Sequence, residues 1–279
     1  MTKARILGIQ IEPEPGNKQA NLDKVRKFVE DYAWYKPDLI VLSEVFNSGV
    51  DHRFLQKLAE TIPEGQTTHF FSEIAKKYSV NVVSGSYIEK INGSSPEEQT
   101  DPANYRNASV VFDRKGEIIG KYQKIHMFDY QGSNEGKYVS SGDRAVIVET
   151  DIGKIGLSIC YDIRFPELFR ALTYGGAEII TCCAAWPFPK LDHWITLNKA
   201  RAIENTVYMI AVNQCGRVNP KRQNLGSSML INPWGEVVAY AGVDEGVITG
   251  EIDLGFLRKT RENFPVLKDR NTEAYKIHK

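Results

Sequence analysis

The sequence has few cysteines and none of the spacings that create a metal site or a disulfide framework. Its 279 residues contain four cysteines (Cys160, Cys182, Cys183 and Cys215), two of which are adjacent. No pair has the Cys-x-x-Cys or Cys/His spacing of a zinc site. All four lie in apolar surroundings, which is typical of free thiols in a reducing compartment. We therefore expect a cytoplasmic protein that uses neither a metal nor another cofactor.

An excess of basic charge and a long apolar run are also missing. Lys+Arg and Asp+Glu each total 35, so the formal net charge is zero. A surface that binds nucleic acid or anionic lipid would need a basic excess. No apolar run reaches the roughly 18 residues of a membrane helix, and MTKARILGIQIEP lacks the apolar core of a signal peptide. Neither nucleic acid nor a membrane is therefore an expected partner.

What the sequence does contain is an alternation of strand-like and helical segments. Apolar content of 42%, without a linker or a repeat, predicts one domain over residues 1–279. Helical stripes cover 22–32, 70–78, 166–174 and 193–203, and strand-like runs cover 5–11, 38–43, 80–87, 108–112, 117–122, 154–160, 178–184, 207–212, 227–231, 236–240 and 247–252. This alternation favours a layered sheet that carries helices on one face. Residues 91–106 and 129–144 are expected to be loops, and the tail from Gly255 onward is polar.

Three residues that can carry chemistry stand at or near the ends of predicted strands. Glu44 follows the apolar run 39–43, Cys160 ends the run 155–159, and Lys124 lies just past a hairpin's second strand. The carboxyl ends of strands are where open α/β sheets bind ligands. Each residue alone has an ordinary alternative, namely a glutamate facing water, an inert core thiol and a solvated lysine.

Together the three residues fit one mechanism of nucleophilic catalysis. A thiol of unperturbed pKa about 8.5 needs a base or a nearby cation to act as a nucleophile at neutral pH. Glu44 can take the proton of Cys160 and later pass it to departing ammonia. Lys124 can stabilise the thiolate and a tetrahedral oxyanion. This division of roles matches a Ser-His-Asp triad with other groups in its positions.

Several ordered motifs resemble the nitrilase superfamily of carbon–nitrogen hydrolases over essentially the full chain. They are DLIVLSEVF around Glu44, GKYQKIHMFD around Lys124, GLSICYDIRFPE around Cys160, the stretch AAWP…HW…ARAIEN…Y, and INPWGEV. The resemblance implies that these three residues form the catalytic set. It also implies that Glu135, in NEGKYVSSGD, helps to position the reacting groups, whereas the alternative is a loop carboxylate in water.

The same resemblance implies a fold and an assembly. The expected fold is a four-layer α-β-β-α sandwich of two mixed β-sheets with outer helices. Members of the family commonly dimerise through the helical layer, so a homodimer or higher homo-oligomer is expected. The tail from about residue 255 is expected to pack on the partner subunit.

The segment that follows Cys160 indicates a substrate class. Its sequence, YDIRF, is similar to the amidase branch that includes the omega-amidases, which hydrolyse the terminal amide of 2-oxo acid monoamides. A guanidinium suits bidentate binding of a carboxylate. We therefore expect Arg164, together with Tyr161 and Trp186, to bind a small-molecule amide. A purely packing role for Trp186 is the alternative.

Other interpretations of these residues remain open. Arg164 can instead form a structural pair with Asp162 or Glu167. His126 and His193 would suit a Cys-His hydrolase, although the resemblance implies a glutamate base. The segment GSNEGK (132–137) has one residue too few for a phosphate-binding P-loop and introduces no helical pattern.

Functions other than an omega-amidase also remain open. The chain can be an N-carbamoyl amino acid or amine hydrolase, or another small-amide amidase. An acyl-enzyme intercepted by an amine would make it an acyltransferase. An inactive homologue that only binds a partner is disfavoured by the intact set of three residues.

Overall fold

The computed structural model describes residues 3–91, 101–130, 133–220, 222–271 and 273–274. Residues 92–100 of the first expected loop and 131–132 of the second lie outside the described residues. In the described part, the strands are β1 (Lys3–Gln10), β2 (Leu39–Val41), β3 (Asn81–Val83), β4 (Tyr87–Lys90), β5 (Tyr105–Phe112), β6 (Ile118–Gln123), β7 (Ile147–Thr150), β8 (Gly153–Ile159), β9 (Ile179–Ala184), β10 (Tyr208–Asn213), β11 (Cys215–Asn219), β12 (Arg222–Leu225), β13 (Met229–Ile231), β14 (Val237–Tyr240) and β15 (Gly246–Asp253). The α-helices are α1 (Lys18–Asp31), α2 (His52–Leu55), α3 (Gln66–Tyr78), α4 (Pro166–Tyr174), α5 (Leu191–Asn205) and α6 (Leu254–Asn263).

Most of the strands form two mixed sheets. The seven-stranded sheet has the order β15-β1-β2-β3-β5-β4, with β6 paired to β5, and β1, β2 and β3 are parallel neighbours. The six-stranded sheet has the order β14-β13-β10-β9-β8-β7, with β8, β9 and β10 parallel. Strands β11 and β12 form a separate hairpin. In each sheet the parallel strands lie at the centre, and their carboxyl ends define one edge.

The apolar residues fill three layers between and outside the sheets. The central layer joins Ile6 and Val41 of the first sheet to Leu157 and Ile210 of the second. Helices α1 and α3 cover the outer face of the first sheet, and α4 and α5 cover that of the second. This arrangement confirms the predicted four-layer α-β-β-α sandwich. No helix in the described part of the chain is long and apolar enough to cross a membrane.

One predicted strand is wrong because a glycine interrupts it. The run 80–87 forms two strands, β3 and β4, and Gly85 between them has a φ of +68°. A Cβ atom at this position would lie 2.0 Å from the carbonyl oxygen of Ser43. The chain can therefore turn and approach the end of β2 closely only because residue 85 has no side chain.

The polar tail contains a helix that the sequence analysis did not predict. Helix α6 buries Leu257 and Thr260 against the rest of the chain. Its Arg261 donates to the carbonyl oxygens of Ala177 at 2.9 Å and Thr206 at 3.0 Å. The segment that follows Asp253 therefore packs on the rest of its own chain through α6, and the packing of the tail on a partner stays a prediction.

Candidate active site

The side chains of Glu44, Lys124 and Cys160 meet where three strands end. Glu44 lies beyond β2, Lys124 follows β6, and Cys160 follows β8 of the opposite sheet. The Nζ atom of Lys124 is 2.8 Å from Oε1 of Glu44. The thiol of Cys160 lies beside the carboxylate of Glu44 and the ammonium of Lys124, and the charges of both act on its pKa. The structure thus brings together the three residues that the sequence motifs singled out.

Buried hydrogen bonds fix the carboxylate of Glu44. The side chain is buried, and its Oε2 accepts from the backbone N–H of Ala185 at 3.0 Å. Oε1 accepts from Nδ2 of Asn107, also at 3.0 Å, and Nε2 of Gln214 donates to the Glu44 carbonyl oxygen at 2.6 Å. The next residue, Val45, has a φ of +38°, which is unusual for a β-branched side chain. Such strain is a feature of functional sites.

Two carboxylates hold the ammonium group of Lys124, which is only 1% exposed. Oε1 and Oε2 of Glu135 lie 2.9 and 2.8 Å from Nζ, opposite Glu44. Burial alone would lower the pKa of Lys124, but the charges of Glu135 and Glu44 outweigh it and raise this pKa well above its ordinary value. Burial also opposes ionisation of Glu135, yet Lys124 keeps the pKa of that carboxyl below its usual value. The lysine is therefore a permanent cation.

Cys160 occupies a sharp turn between β8 and a short 3₁₀ helix over residues 160–164. Its φ of +50° is left-handed. Asp162 holds the turn, because its buried carboxylate accepts from the backbone N–H of Ile159 at 2.8 Å and from the Tyr122 hydroxyl at 2.7 Å. Burial, then the charge of Glu44, raises the pKa of the Cys160 thiol well above its ordinary value. At rest, the side chain of Cys160 is therefore a thiol beside a carboxylate.

The two histidines of the alternative Cys-His interpretation interact with other groups. Nδ1 of His126 lies 2.7 Å from the Asp162 carboxylate, and its ring stacks on Phe165 at a centroid distance of 3.6 Å. Nδ1 of His193 lies 3.2 Å from a guanidinium nitrogen of Arg164. The basic group that contacts the thiol is thus Glu44. The alternative P-loop includes Gly132, outside the described residues, and its residues 135–137 form only a single 3₁₀ turn.

A pocket of about 630 Å³, including the part open to solvent, lies above the thiol. Its lining residues are Glu44, Val45, Val50, His52, Leu55, Ile88, Asn107, Lys124, Phe128, Ser133, Glu135, Cys160, Tyr161, Arg164, Ala185, Trp186, Pro187, Lys190 and Arg222. The wall therefore contains all the predicted site residues, and it combines aliphatic and aromatic side chains with several cations. Among the residues that the structure describes, no cluster of His, Cys, Asp and Glu side chains could hold a metal ion.

Arg164 is held in the pocket wall by two contacts. Its guanidinium carbon lies 4.9 Å from the ring centroid of Trp186, and one of its nitrogens contacts His193. Asp162 is occupied by other donors, and no ion pair of Arg164 with Asp162 or Glu167 occurs in the described part of the chain. The structure therefore disfavours the structural-pair alternative and leaves the guanidinium at the pocket.

Three further pocket residues escaped the sequence analysis. Asn107 stands in β5 directly before the run 108–112, is buried, and donates to both Glu44 and Glu135. A polar residue at that point of a buried strand was a signal that could have been used. Lys190 and Arg222 lie in polar segments, where nothing local distinguishes them from solvated cations. Only the fold brings these two to the pocket.

Comparison with known proteins agrees with this geometry. A family model described as carbon–nitrogen hydrolase matches residues 4–262. The chain is 35% identical over 268 residues to 2-oxoglutaramate amidase of Bacillus subtilis (strain 168), covering 96% of this chain and 97% of that protein. It is 32% identical over 283 residues to omega-amidase NIT2 of Homo sapiens, with coverages of 99% and 98%.

A solved structure is similar as well. The crystal structure of Saccharomyces cerevisiae Nit3, a member of branch 10 of the nitrilase superfamily, aligns with a TM-score of 0.85 at 28% identity and 97% coverage of each chain. The same assignment follows from three observations: the sandwich fold, the position of Glu44, Lys124 and Cys160 at strand ends, and the family match over nearly the whole chain. The chain belongs to the carbon–nitrogen hydrolase family, within the nitrilase superfamily.

Proposed function

We propose that this enzyme hydrolyses the terminal amide of a short 2-oxo acid monoamide and releases ammonia through a cysteine thioester. The observation that carries the proposal is the buried contact of Cys160 with Glu44 and Lys124 at the base of a pocket whose wall is cationic. The substrate class is supported by the names of two relatives, 2-oxoglutaramate amidase and omega-amidase.

In the first half-reaction, Cys160 displaces ammonia. Glu44 takes the thiol proton as the sulfur attacks the amide carbon, which forms the C–S bond of a tetrahedral intermediate. The ammonium of Lys124 stabilises the negative charge on the former carbonyl oxygen. Glu44 then gives its proton to the amide nitrogen, the C–N bond breaks, and ammonia leaves a thioester on Cys160.

In the second half-reaction, water replaces the sulfur. Glu44 takes a proton from water as its oxygen attacks the thioester carbon, and Lys124 again stabilises the oxyanion. Collapse of this intermediate breaks the C–S bond, returns the proton to the sulfur and releases the 2-oxo dicarboxylic acid. The same carboxylate therefore serves as base and acid in both halves.

Glu135 acts in this scheme as a positioning residue. Both of its oxygens contact Nζ of Lys124, and Oε2 also accepts from the backbone N–H of Phe128 at 2.9 Å. Through these bonds it keeps the ammonium charged and fixed without contact to the thiol. Loss of this support would misplace the cation relative to the developing oxyanion, and small displacements cost large factors in rate.

Tyr161, Arg164 and Trp186 bind the substrate in this proposal. Trp186 is buried and provides an apolar wall, while Tyr161 packs edge-on against Phe128 at 5.1 Å. The Arg164 guanidinium, stacked on Trp186, offers its remaining donors to an anionic group. A substrate with a short apolar middle and a charged end matches this wall.

The assembly and compartment are also proposals. All four cysteines are free thiols, which fits the reducing cytoplasm. Exposed apolar side chains gather beside α4, α5 and α6, where Tyr174, Ile203, Trp234 and Phe264 are each about half exposed. We infer that this surface, the α4–α6 patch, is the contact of a homodimer, because large exposed apolar patches mark protein interfaces.

The experiment that tests the function is a screen of ammonia release. The panel contains 2-oxoglutaramate, 2-oxosuccinamate, neutral amides, nitriles and N-carbamoyl amino acids, each with and without an added amine. The proposal expects the highest kcat/KM for the 2-oxo acid amides and ammonia as the product in all arms. A preference for carbamoyl compounds or nitriles, or an amide product that consumes the added amine, would contradict it.

A further inference from the structure

The hairpin of β11 and β12 brings a second guanidinium to the active-site pocket. Arg222, the first residue of β12, lines the pocket and donates from Nη2 to the carbonyl oxygen of Ala185 at 3.1 Å. Its Nε is buried and has no hydrogen-bond acceptor in the described part of the protein, which also contains no ion pair of this residue. A buried donor on a cation that lacks an acceptor is costly unless a ligand supplies one.

The position of Arg222 is tied to the catalytic carboxylate. The carbonyl oxygen of Ala185 accepts from Arg222, while the N–H of the same residue donates to Glu44. Backbone bonds of Leu225 to Trp186 and of Phe188 to Gln223 hold the hairpin beside the pocket wall. These bonds connect the hairpin, and through Ala185 the guanidinium, to the backbone that also positions Glu44.

The carboxylates that line the pocket do not pair with Arg222. Glu44 and Glu135 are the only carboxylates among the pocket-lining residues, and both contact Lys124. Lys190 is a further lining residue, and burial and then the charges of Arg164 and Arg222 lower its pKa. Like charges this close repel one another, and an anion bound between them relieves that repulsion.

Arg222 differs from Arg164 in the contacts that remain open to a ligand. Arg164 is stacked on Trp186 and shares a hydrogen bond with His193. Arg222 has one backbone acceptor, an unpartnered Nε and no such stacking contact among the described residues. The second guanidinium therefore has the greater unmet demand for an oxygen acceptor.

We propose that Arg222 determines the specificity of the enzyme by binding the carboxylate at the far end of the amide substrate. The inference rests on the proposed function and deepens it, because it assigns the recognition of the 2-oxo acid to a residue of the β11–β12 hairpin. Arg164, stacked on Trp186, then offers its remaining donors to the same carboxylate. Substrates that lack the carboxylate leave the Arg222 donors unsatisfied and bind less well.

The test compares two substrates that differ only at the recognised end. One is 2-oxoglutaramate, and the other is 4-oxopentanamide, in which a methyl group replaces the carboxylate. Arg222→Gln is expected to lower kcat/KM for the anionic amide by about 10-fold to 100-fold, the range of a charge-assisted hydrogen bond, and to change the neutral amide little. Arg222→Lys keeps the charge without the planar fork and is expected to recover only part of the loss.

A matched control lies on the same hairpin. Arg217 is exposed on β11 and is not among the pocket-lining residues, so Arg217→Gln removes one positive charge near the site without touching it. Its ratio of kcat/KM for the two substrates is expected to equal that of the wild type. Equal losses on both substrates in Arg222→Gln, or a ratio altered as much by Arg217→Gln, would overturn the assignment.

Failure of the proposed function gives a different result. If the wild type cleaves amides but does not prefer those with a 2-oxo group, the proposed substrate class is wrong. The Arg222 experiment then compares glutaramate with pentanamide, which again differ only in the carboxylate. The Arg222 inference then stands if Arg222→Gln still removes a preference for the carboxylate. It falls if that preference is absent from the wild type or survives the substitution.

Discussion

At the scale of single residues, the proposed mechanism depends on a protonated thiol that lies beside a buried carboxylate. Burial and the charge of Glu44 raise the pKa of Cys160, so the thiolate does not accumulate at rest. In the proposed mechanism, proton transfer from Cys160 to Glu44 therefore accompanies the attack on the amide carbon. Lys124 offsets the resulting negative charge, and its own charge is secured by Glu44 and Glu135.

Replacing the base tests this view directly. Glu44→Gln keeps the size of the side chain but cannot take the thiol proton, so kcat/KM is expected to fall about 100-fold to 10,000-fold or more. The loss should appear in kcat with a much smaller change in KM, which separates loss of activation from loss of substrate binding. Glu149→Gln, an exposed substitution on β7, is the control. A kcat of Glu44→Gln close to that of the wild type would show that another group activates the thiol.

Removing the cation should change stability in a pH-dependent way. Lys124→Met leaves Glu44 and Glu135 buried without their partner, which is expected to cost about 3–5 kcal/mol in the free energy of unfolding at neutral pH. In the wild type, the lowered pKa of Glu135 adds stability above the unfolded pKa, and this contribution is lost as pH falls through the folded pKa. In Lys124→Met, burial without a cation is expected to raise the pKa of the buried carboxyl groups above the value in the unfolded chain. The loss of unfolding free energy caused by the substitution therefore becomes smaller as the pH falls.

The measurement is urea unfolding of both proteins between pH 4 and about 8, a window that spans the ordinary carboxyl pKa. The difference in unfolding free energy is expected to narrow toward the acidic end. A difference that stays constant over this window would mean that the carboxylates do not depend on Lys124.

At the scale of elements, the periodicity of apolar residues and the sequence motifs predicted most of the strands and helices that hold the site. The predicted helix 166–174 coincides with α4, and the predicted strand ends at Glu44 and Cys160 lie within a few residues of those of β2 and β8. Helix α6 was missed because charged residues surround its buried positions, Leu254, Leu257 and Thr260. Their spacing of three residues was a helical signal that the polar composition hid.

The residues of the site likewise fall into those that the sequence could assign and those that it could not. Residues carried by ordered motifs, such as Glu135, could be assigned to the site from the sequence because the resemblance supplied their neighbours. Asn107 and Arg222 could not, since their importance depends on which strand lies beside them. A guanidinium in a polar hairpin has the same local pattern whether it faces water or a pocket.

The turn between β3 and β4 offers a test at this scale. Gly85→Ala would place a methyl group 2.0 Å from the Ser43 carbonyl oxygen in a left-handed conformation. The conformation alone costs roughly 1–2 kcal/mol, and relief of the clash would displace Glu44, so both unfolding free energy and kcat should fall. Gly242→Ala, where no atom lies within 4 Å of the added Cβ, is the matched control. Equal melting temperatures and kcat values for the two variants would contradict this reading.

At the scale of the whole molecule, the carboxyl ends of the central parallel strands of both sheets lie at one edge of the sandwich. An apolar surface remains exposed on the helices. Trp234 and Phe264 pack with ring centroids 5.6 Å apart, and the Tyr174 hydroxyl donates to the carbonyl oxygen of Leu267 at 3.0 Å. These contacts connect Phe264 and Leu267, which follow α6, to the α4–α6 patch. The active-site pocket opens elsewhere, at the strand ends.

Sedimentation velocity tests the proposed homodimer. The wild type is expected to sediment as a dimer at micromolar concentration, and Ile203→Asp, in the centre of the α4–α6 patch, as a monomer because it buries a charge in the interface. Trp34→Asp is the control, since Trp34 is 74% exposed beside α1, on the other helical layer. A monomeric wild type, or a dimer that Ile203→Asp leaves intact, would count against this interface.

The central claim is that Cys160 carries the acyl group of a 2-oxo acid amide during turnover. The most direct measurement is a rapid-quench single turnover of 2-oxoglutaramate with excess enzyme, followed by intact and peptide mass analysis and an ammonia assay. The wild type is expected to show one transient 2-oxoglutaryl adduct on the Cys160 peptide and one ammonia per substrate, and Cys160→Ala neither. Ammonia release by Cys160→Ala at the wild-type rate, or turnover by the wild type with the adduct on another residue, would contradict the account.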